Sequence, residues 1–74
     1  TDPVSVPNEV WQVLDDDYKW AAADKNDRIW LYREPPELNT TNWIGNAVDG
    51  SYFKGIKRGN IAWDKSLIKR PSGV

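Results

Sequence analysis

With neither His nor Cys among 74 residues, the chain offers no imidazole base, no thiolate nucleophile and no zinc-type ligand set. Acid–base work would fall to carboxylates and lysines. The densest carboxylate cluster is Asp15-Asp16-Asp17. A calcium loop of the EF-hand kind needs oxygen ligands at positions 1, 3 and 5 followed by Gly at 6, whereas counting from Asp15 puts Lys19 at the fifth position and Trp20 at the sixth. The run therefore reads as a solvated acidic loop, and neither a metal nor a cofactor is expected. No carboxylate or lysine falls into a catalytic spacing, so the chain reads as a non-enzyme.

What remains is binding chemistry. Five Trp, three Tyr and four Arg are many anchors for so short a chain, and these are the types enriched at interface hot spots. Two groups stand out: Trp30, Tyr32 and Arg33 on what should be the outer face of a hairpin, and Tyr52, Lys54, Lys57 and Arg58 in a basic segment. The net charge of −1 conceals an asymmetry, with nine acidic against four basic side chains over residues 1–37 and two against six over residues 38–74. Such a dipolar chain suits a charged partner or a homo-oligomer. An acidic protein is one candidate partner. A nucleotide or single-stranded nucleic acid is another, with Trp43, Tyr52 or Phe53 stacking and Lys54, Lys57 and Arg58 holding phosphates, although a pI near 5.2 is far from that of a dedicated nucleic-acid domain. No apolar run has the length of a membrane span, and a Cys-free chain suits a reducing cytoplasm.

The elements that must position these residues can be read from period and punctuation. A single domain over residues 1–74 is expected, with loose ends near 1–4 and 72–74. Ser5 is a candidate cap for a short helix over about 7–14, since Val6, Val10, Val13 and Leu14 fall on one helical face, with Trp11 at its edge. Tyr18, Trp20 and Ala22 alternate with Lys19, Ala21 and Ala23, and Ile29 and Leu31 alternate with Arg28, Trp30 and Tyr32. The intervening Asp24-Lys25-Asn26-Asp27 suits a hairpin turn, and Pro35-Pro36 ends the second strand. Leu38–Thr41 reads as a connecting loop. Asp49-Gly50 reads as a second hairpin, joining Trp43–Ala47 to Ser51–Gly55. Gly55 and Gly59 frame a mobile basic loop, and a last short strand or extended tail precedes Arg70-Pro71. Of the tryptophans, Trp20, Trp43 and Trp63 are expected mostly inside, with Trp11 or Trp30 partly exposed. The fold class that follows is α+β, a short N-terminal helix packed on a small antiparallel sheet of three to five strands.

The pieces Tyr18-Lys19-Trp20-Ala21-Ala22, Asp24, Ile29-Trp30-Leu31-Tyr32, Pro36, Trp43 and Trp63-Asp64-Lys65-Ser66-Leu67-Ile68-Lys69-Arg70-Pro71 occur in that order. Together they resemble a group of small phage- and prophage-encoded proteins of largely unassigned function. Those relatives usually carry Gly in the turn where this chain has Asp27. The resemblance implies an accessory phage protein, and hence a host cell, rather than a known reaction; the density of Trp, Tyr and Arg is what points to a host or phage protein as partner.

Overall fold

The computed structural model describes residues 1–74. Helix α1 (Asn8–Val13) precedes strands β1 (Trp20–Ala23), β2 (Ile29–Tyr32), β3 (Glu37–Leu38), β4 (Trp43–Ile44), β5 (Ala47–Asp49) and β6 (Ile68–Lys69), with single 3-10 turns at Gly50–Tyr52 and Trp63–Lys65. An antiparallel sheet runs in the order β5-β2-β1-β6, and β3 pairs with β4 in a separate ribbon. The chain is thus a small α+β fold. None of its helices is long and apolar enough to cross a membrane.

The β1–β2 hairpin is the centre of this arrangement. Residues directly opposite across antiparallel strands share a face, so the pairs Ala21↔Leu31, Leu31↔Val48 and Ala21↔Ile68 line one side of the sheet, while Trp20↔Tyr32, Ala22↔Trp30 and Tyr32↔Ala47 line the other. Ala21, Ala22 and Ala23 are all fully buried, which requires cover on both faces. Small side chains on the central strand leave room for large ones arriving from elsewhere. On the first face that residue is Trp11 of α1, clustered with Ala21 and Leu31 and joined by Leu14, Phe53 and Ile56. An indole of roughly 200 Å² taken out of water contributes on the order of 5 kcal/mol before entropy is counted. On the second face the buried Tyr32 hydroxyl donates to the Trp43 carbonyl at 3.4 Å, and the Trp43 indole N–H donates to the Trp63 carbonyl at 3.1 Å.

Several local expectations are revised by these contacts. Ser5 does not cap α1: Pro7 occupies the cap position without a side-chain bond, and Ser5 instead exchanges both backbone hydrogen bonds with Lys57, at 2.9 and 2.8 Å. Val13 points outward at 73% exposure and Trp11, read as an edge residue, is the largest fully buried side chain. Trp20, Trp43 and Trp63 are half-buried. The Asp49-Gly50 hairpin is not formed. Trp43–Ala47 divides at Gly45-Asn46, so that β4 joins β3 while β5 joins β2. After β5 the chain turns in 3-10 fashion because the Asp49 carboxylate accepts the Ser51 N–H at 2.9 Å, and no strand spans 51–55. Gly50 is required there, since a Cβ would lie 2.7 Å from the Ile29 carbonyl oxygen. The stretch read as a loop from Leu38 begins one residue later, because Leu38 pairs with Trp43.

Several aromatic and polar residues between Asp24 and Arg70 are occupied in holding this scaffold. β6 reaches only as far as Ala21, and extending its register brings Ser66 opposite Ala23. There the Ser66 hydroxyl accepts the Ala23 N–H at 2.8 Å and faces the Trp63 and Ala23 carbonyls. A side chain thus completes the ladder that the two-residue strand leaves short. Asp24, also buried, accepts the Trp43 N–H at 2.9 Å. Arg70 gathers the acidic loop and the tail: it donates to the carbonyls of Asp15 at 3.0 Å, Tyr18 at 3.2 Å and Val74, and lies 5.7 Å from the Trp11 ring. Thus Asp24, Trp43, Trp63, Ser66 and Arg70 have structural roles in the fold.

Candidate binding site

The hairpin tip is built from a compact set of backbone bonds. The Asp24 N–H donates to the Arg28 carbonyl and the Asp27 N–H to the Asp24 carbonyl, both at 2.9 Å, while the Asn26 side-chain oxygen accepts the Arg28 N–H at 3.0 Å. Closing the turn forces Asp27 to φ 67°, a left-handed conformation that Asp adopts more readily than most residues. Its carboxylate then accepts from Arg58 Nε at 3.1 Å, so a strained turn residue ties the hairpin to a segment thirty-one positions later.

Between this tip and the segment after β5 lies a cleft of about 410 Å³. Ile29, Phe53 and Ile56 give it an apolar wall, and Asn26, Asp27, Arg28, Ser51 and Arg58 give it polar ones. Arg28 is held from outside by Asp49 at 3.0 Å. That carboxylate is drawn below the usual carboxylate range, first by the Ser51 N–H and also by Arg28. Arg58 is positioned from both sides of its backbone, by the Lys57–Ser5 bridge and by Gly59, whose missing side chain allows the Asp2 and Pro3 carbonyls to close over it. The same N-terminal segment is further held where the Asn60 and Ile61 N–H groups both donate to the Asp2 carbonyl at 3.0 Å, and Val4 is buried. The basic loop expected to be mobile is therefore tied by backbone bonds to the N-terminus.

Of the residues singled out from sequence, the fold brings one group together and disperses the other. Arg58 lines the cleft. Tyr52 and Lys54 are exposed and interleave with the lining residues Ser51 and Phe53, and Lys57, also exposed, lies between lining residues Ile56 and Arg58. Tyr52 is 82% exposed. On the hairpin, by contrast, Trp30 is half-buried and paired with Ala22 and Asp49, and Tyr32 is buried rather than on an outer face. Burial, reinforced by the nearby Asp24 charge, pushes the Tyr32 phenol above the ordinary tyrosine range. Arg33 projects to the other side of the strand, 4.9 Å from the Tyr18 ring, and the Tyr18 hydrogen bond raises its pKa. Asn26, Asp27 and Arg28 were not among the sequence candidates. The signal available was the run of Asn26, Asp27 and Arg28 in the hairpin turn.

Comparison with protein-family models, with curated proteins and with solved structures finds no match for this chain.

Proposed function

We propose that this is a non-enzymatic accessory binding protein of phage type that acts in the cytoplasm of a host cell by occupying a host or defence protein. In this reading α1 packs on the sheet through Trp11 to make a rigid base, and the end of the molecule at the hairpin tip is presented to the partner. The observation that carries it is Tyr52, exposed at 82% beside a cleft lined by Arg28 and Arg58. A tyrosine that exposed contributes little to its own fold, and tyrosine with arginine around a concave surface is the composition of interface hot spots. A nucleotide is the second reading, favoured by a cleft volume within the range of small-ligand sites.

Affinity capture from a host lysate separates the two when the wild-type protein is run beside Tyr52→Ala and the small molecules retained by each are analysed by mass spectrometry. A protein retained by the wild type and lost from Tyr52→Ala supports the first reading. Retention of a nucleotide with no Tyr52-dependent protein overturns it in favour of the second.

A further inference from the structure

We infer that β5 is a self-association edge, which pairs antiparallel with β5 of a second copy of the chain about a two-fold axis at Val48. This goes beyond the binding-protein reading and does not depend on it.

β5 is an outer strand, paired only with β2. The Arg33 N–H donates to the Asn46 carbonyl at 3.1 Å, so the next hydrogen-bonded pair in the register is Leu31 with Val48. Ala47 and Asp49 therefore turn their N–H groups away from β2, and nothing else in the chain accepts from either. All three strand residues are half-buried. An outer strand with unpaired donors is a template for another strand.

The other outer strands are closed to such pairing, each by a different device. On β6 the Arg70 N–H donates to the Lys19 carbonyl, which leaves the outward positions to Lys69 and Pro71, a charged residue and one without an N–H. On β4 the outward residue is Trp43, whose N–H donates to the Asp24 carboxylate at 2.9 Å and whose carbonyl accepts from the Tyr32 hydroxyl at 3.4 Å. On β3 the Asn39 N–H donates to the Asn42 carbonyl at 2.8 Å, so Leu38 faces outward and Pro36 holds the outward position before it. β5 has neither Lys nor Pro. Its one charge, Asp49, is engaged by Arg28 and by the Ser51 N–H.

The occupant that fits this edge is the same strand from another copy. The two free N–H groups lie one residue to either side of Val48, so β5 run in the opposite direction sets the partner's Asp49 against Ala47 and the partner's Ala47 against Asp49, and each N–H meets a carbonyl. Val48 then faces the partner's Val48. Asp49 lies opposite an alanine rather than another carboxylate and is already matched by Arg28, so like charges do not meet directly. A second copy also brings a strand that its own β2 has ordered, whereas a loose peptide would have to be ordered as it bound. Ile44, 52% exposed just before β5, adds apolar area at the rim. Because the edge is only three residues long, the association is weak.

The chain has no cysteine, so a single introduced thiol reads the pairing. Residues opposed in a non-hydrogen-bonded antiparallel pair stand about 4.5 Å apart at Cα, within reach of a disulfide. Val48→Cys, oxidised under native conditions, should form a disulfide-linked dimer at least about tenfold faster than Ser72→Cys, at an exposed position. Sedimentation of the unmodified protein should show its mass rising from 8.5 kDa toward twice that value between about 10 μM and 1 mM. Ala47→Pro removes an N–H that the fold does not use and should hold the mass at 8.5 kDa with an unchanged circular dichroism spectrum; if the proline disturbs the strand, synthetic protein carrying N-methyl-alanine at position 47 serves instead. Cross-linking of Val48→Cys no faster than that of Ser72→Cys, or a wild-type mass that never rises, overturns the proposal. So does a dimer that the blocked Ala47 leaves intact, which would use another surface. A monomer whose Ala47 and Asp49 amides gain hydrogen-exchange protection only with a captured protein also overturns it, and gives the edge to a foreign strand.

Discussion

Ser66→Ala removes one oxygen atom from a side chain that is fully buried, and it should be among the most damaging small changes in the chain. The hydroxyl accepts the Ala23 N–H at 2.8 Å at a point where β6 has already ended. Ala23 is itself fully buried, so no water replaces the lost acceptor. A buried N–H left unpaired costs about 1–3 kcal/mol. The Trp63 and Ala23 carbonyls also lose the hydroxyl they face, though each retains a second lone pair. Taking about 2 kcal/mol, and a domain of this size shifting about 4–8 °C per kcal/mol, the melting temperature should fall by roughly 8–16 °C. Tryptophan fluorescence and circular dichroism melts measure this, and hydrogen exchange at the Ala23 amide identifies its cause, because that amide should lose protection ahead of its strand neighbours. Ser72→Ala, at an exposed position, is the control. A fall of less than about 2 °C with unchanged exchange at Ala23 would refute the view that Ser66 completes the sheet.

Three further outcomes follow from the same structure. Trp11→Ala should cost about 3–5 kcal/mol by urea unfolding, more than Trp20→Ala, since Trp11 is 1% exposed and Trp20 half-buried; the opposite order would place the core on the other face of the sheet. Gly59→Ala should cost at least about 1–2 kcal/mol from its left-handed backbone alone, and more because a Cβ there meets the Asp2 and Pro3 carbonyls; a neutral result in the same unfolding assay would mean that the N-terminal segment is not closed over the basic loop. Because the folded Tyr32 phenol holds its proton above the ordinary range, its contribution is complete below about pH 10 and is lost as pH rises beyond it, where the unfolded chain ionises first. Tyr32→Phe should flatten this alkaline loss, and an unchanged slope would remove Tyr32 as its source.

The hairpin was legible in the sequence because its causes are local. Alternation over Trp20–Ala23 and Ile29–Tyr32 and an Asp- and Asn-rich turn between them need no knowledge of distant residues. What was not legible depended on which segments meet. The helical stripe pointed to Val13, whereas the vacancy beside Ala21 takes an indole, and only Trp11 is placed to fill it. Three alanines in a central strand were the available hint that a large residue must come from another element. Asp49-Gly50 carries the chemistry of a tight hairpin, but Asp49 uses its carboxylate on Ser51 and its backbone on Trp30, which gives β5 to β2. The cleft joins residues 26–29 to residues 50–58. Charge composition marked Arg58 and its neighbours, and no local pattern could show that Asp27 would meet them.

Hydrogen exchange of the free protein and of its complex with the captured partner locates the interface directly. Protection gained at residues 26–28 and 51–58, with the β3–β4 ribbon unchanged, is the predicted result. Protection confined to the ribbon, where Leu38 and Ile44 are 53% and 52% exposed, with the hairpin tip unaltered, would contradict it.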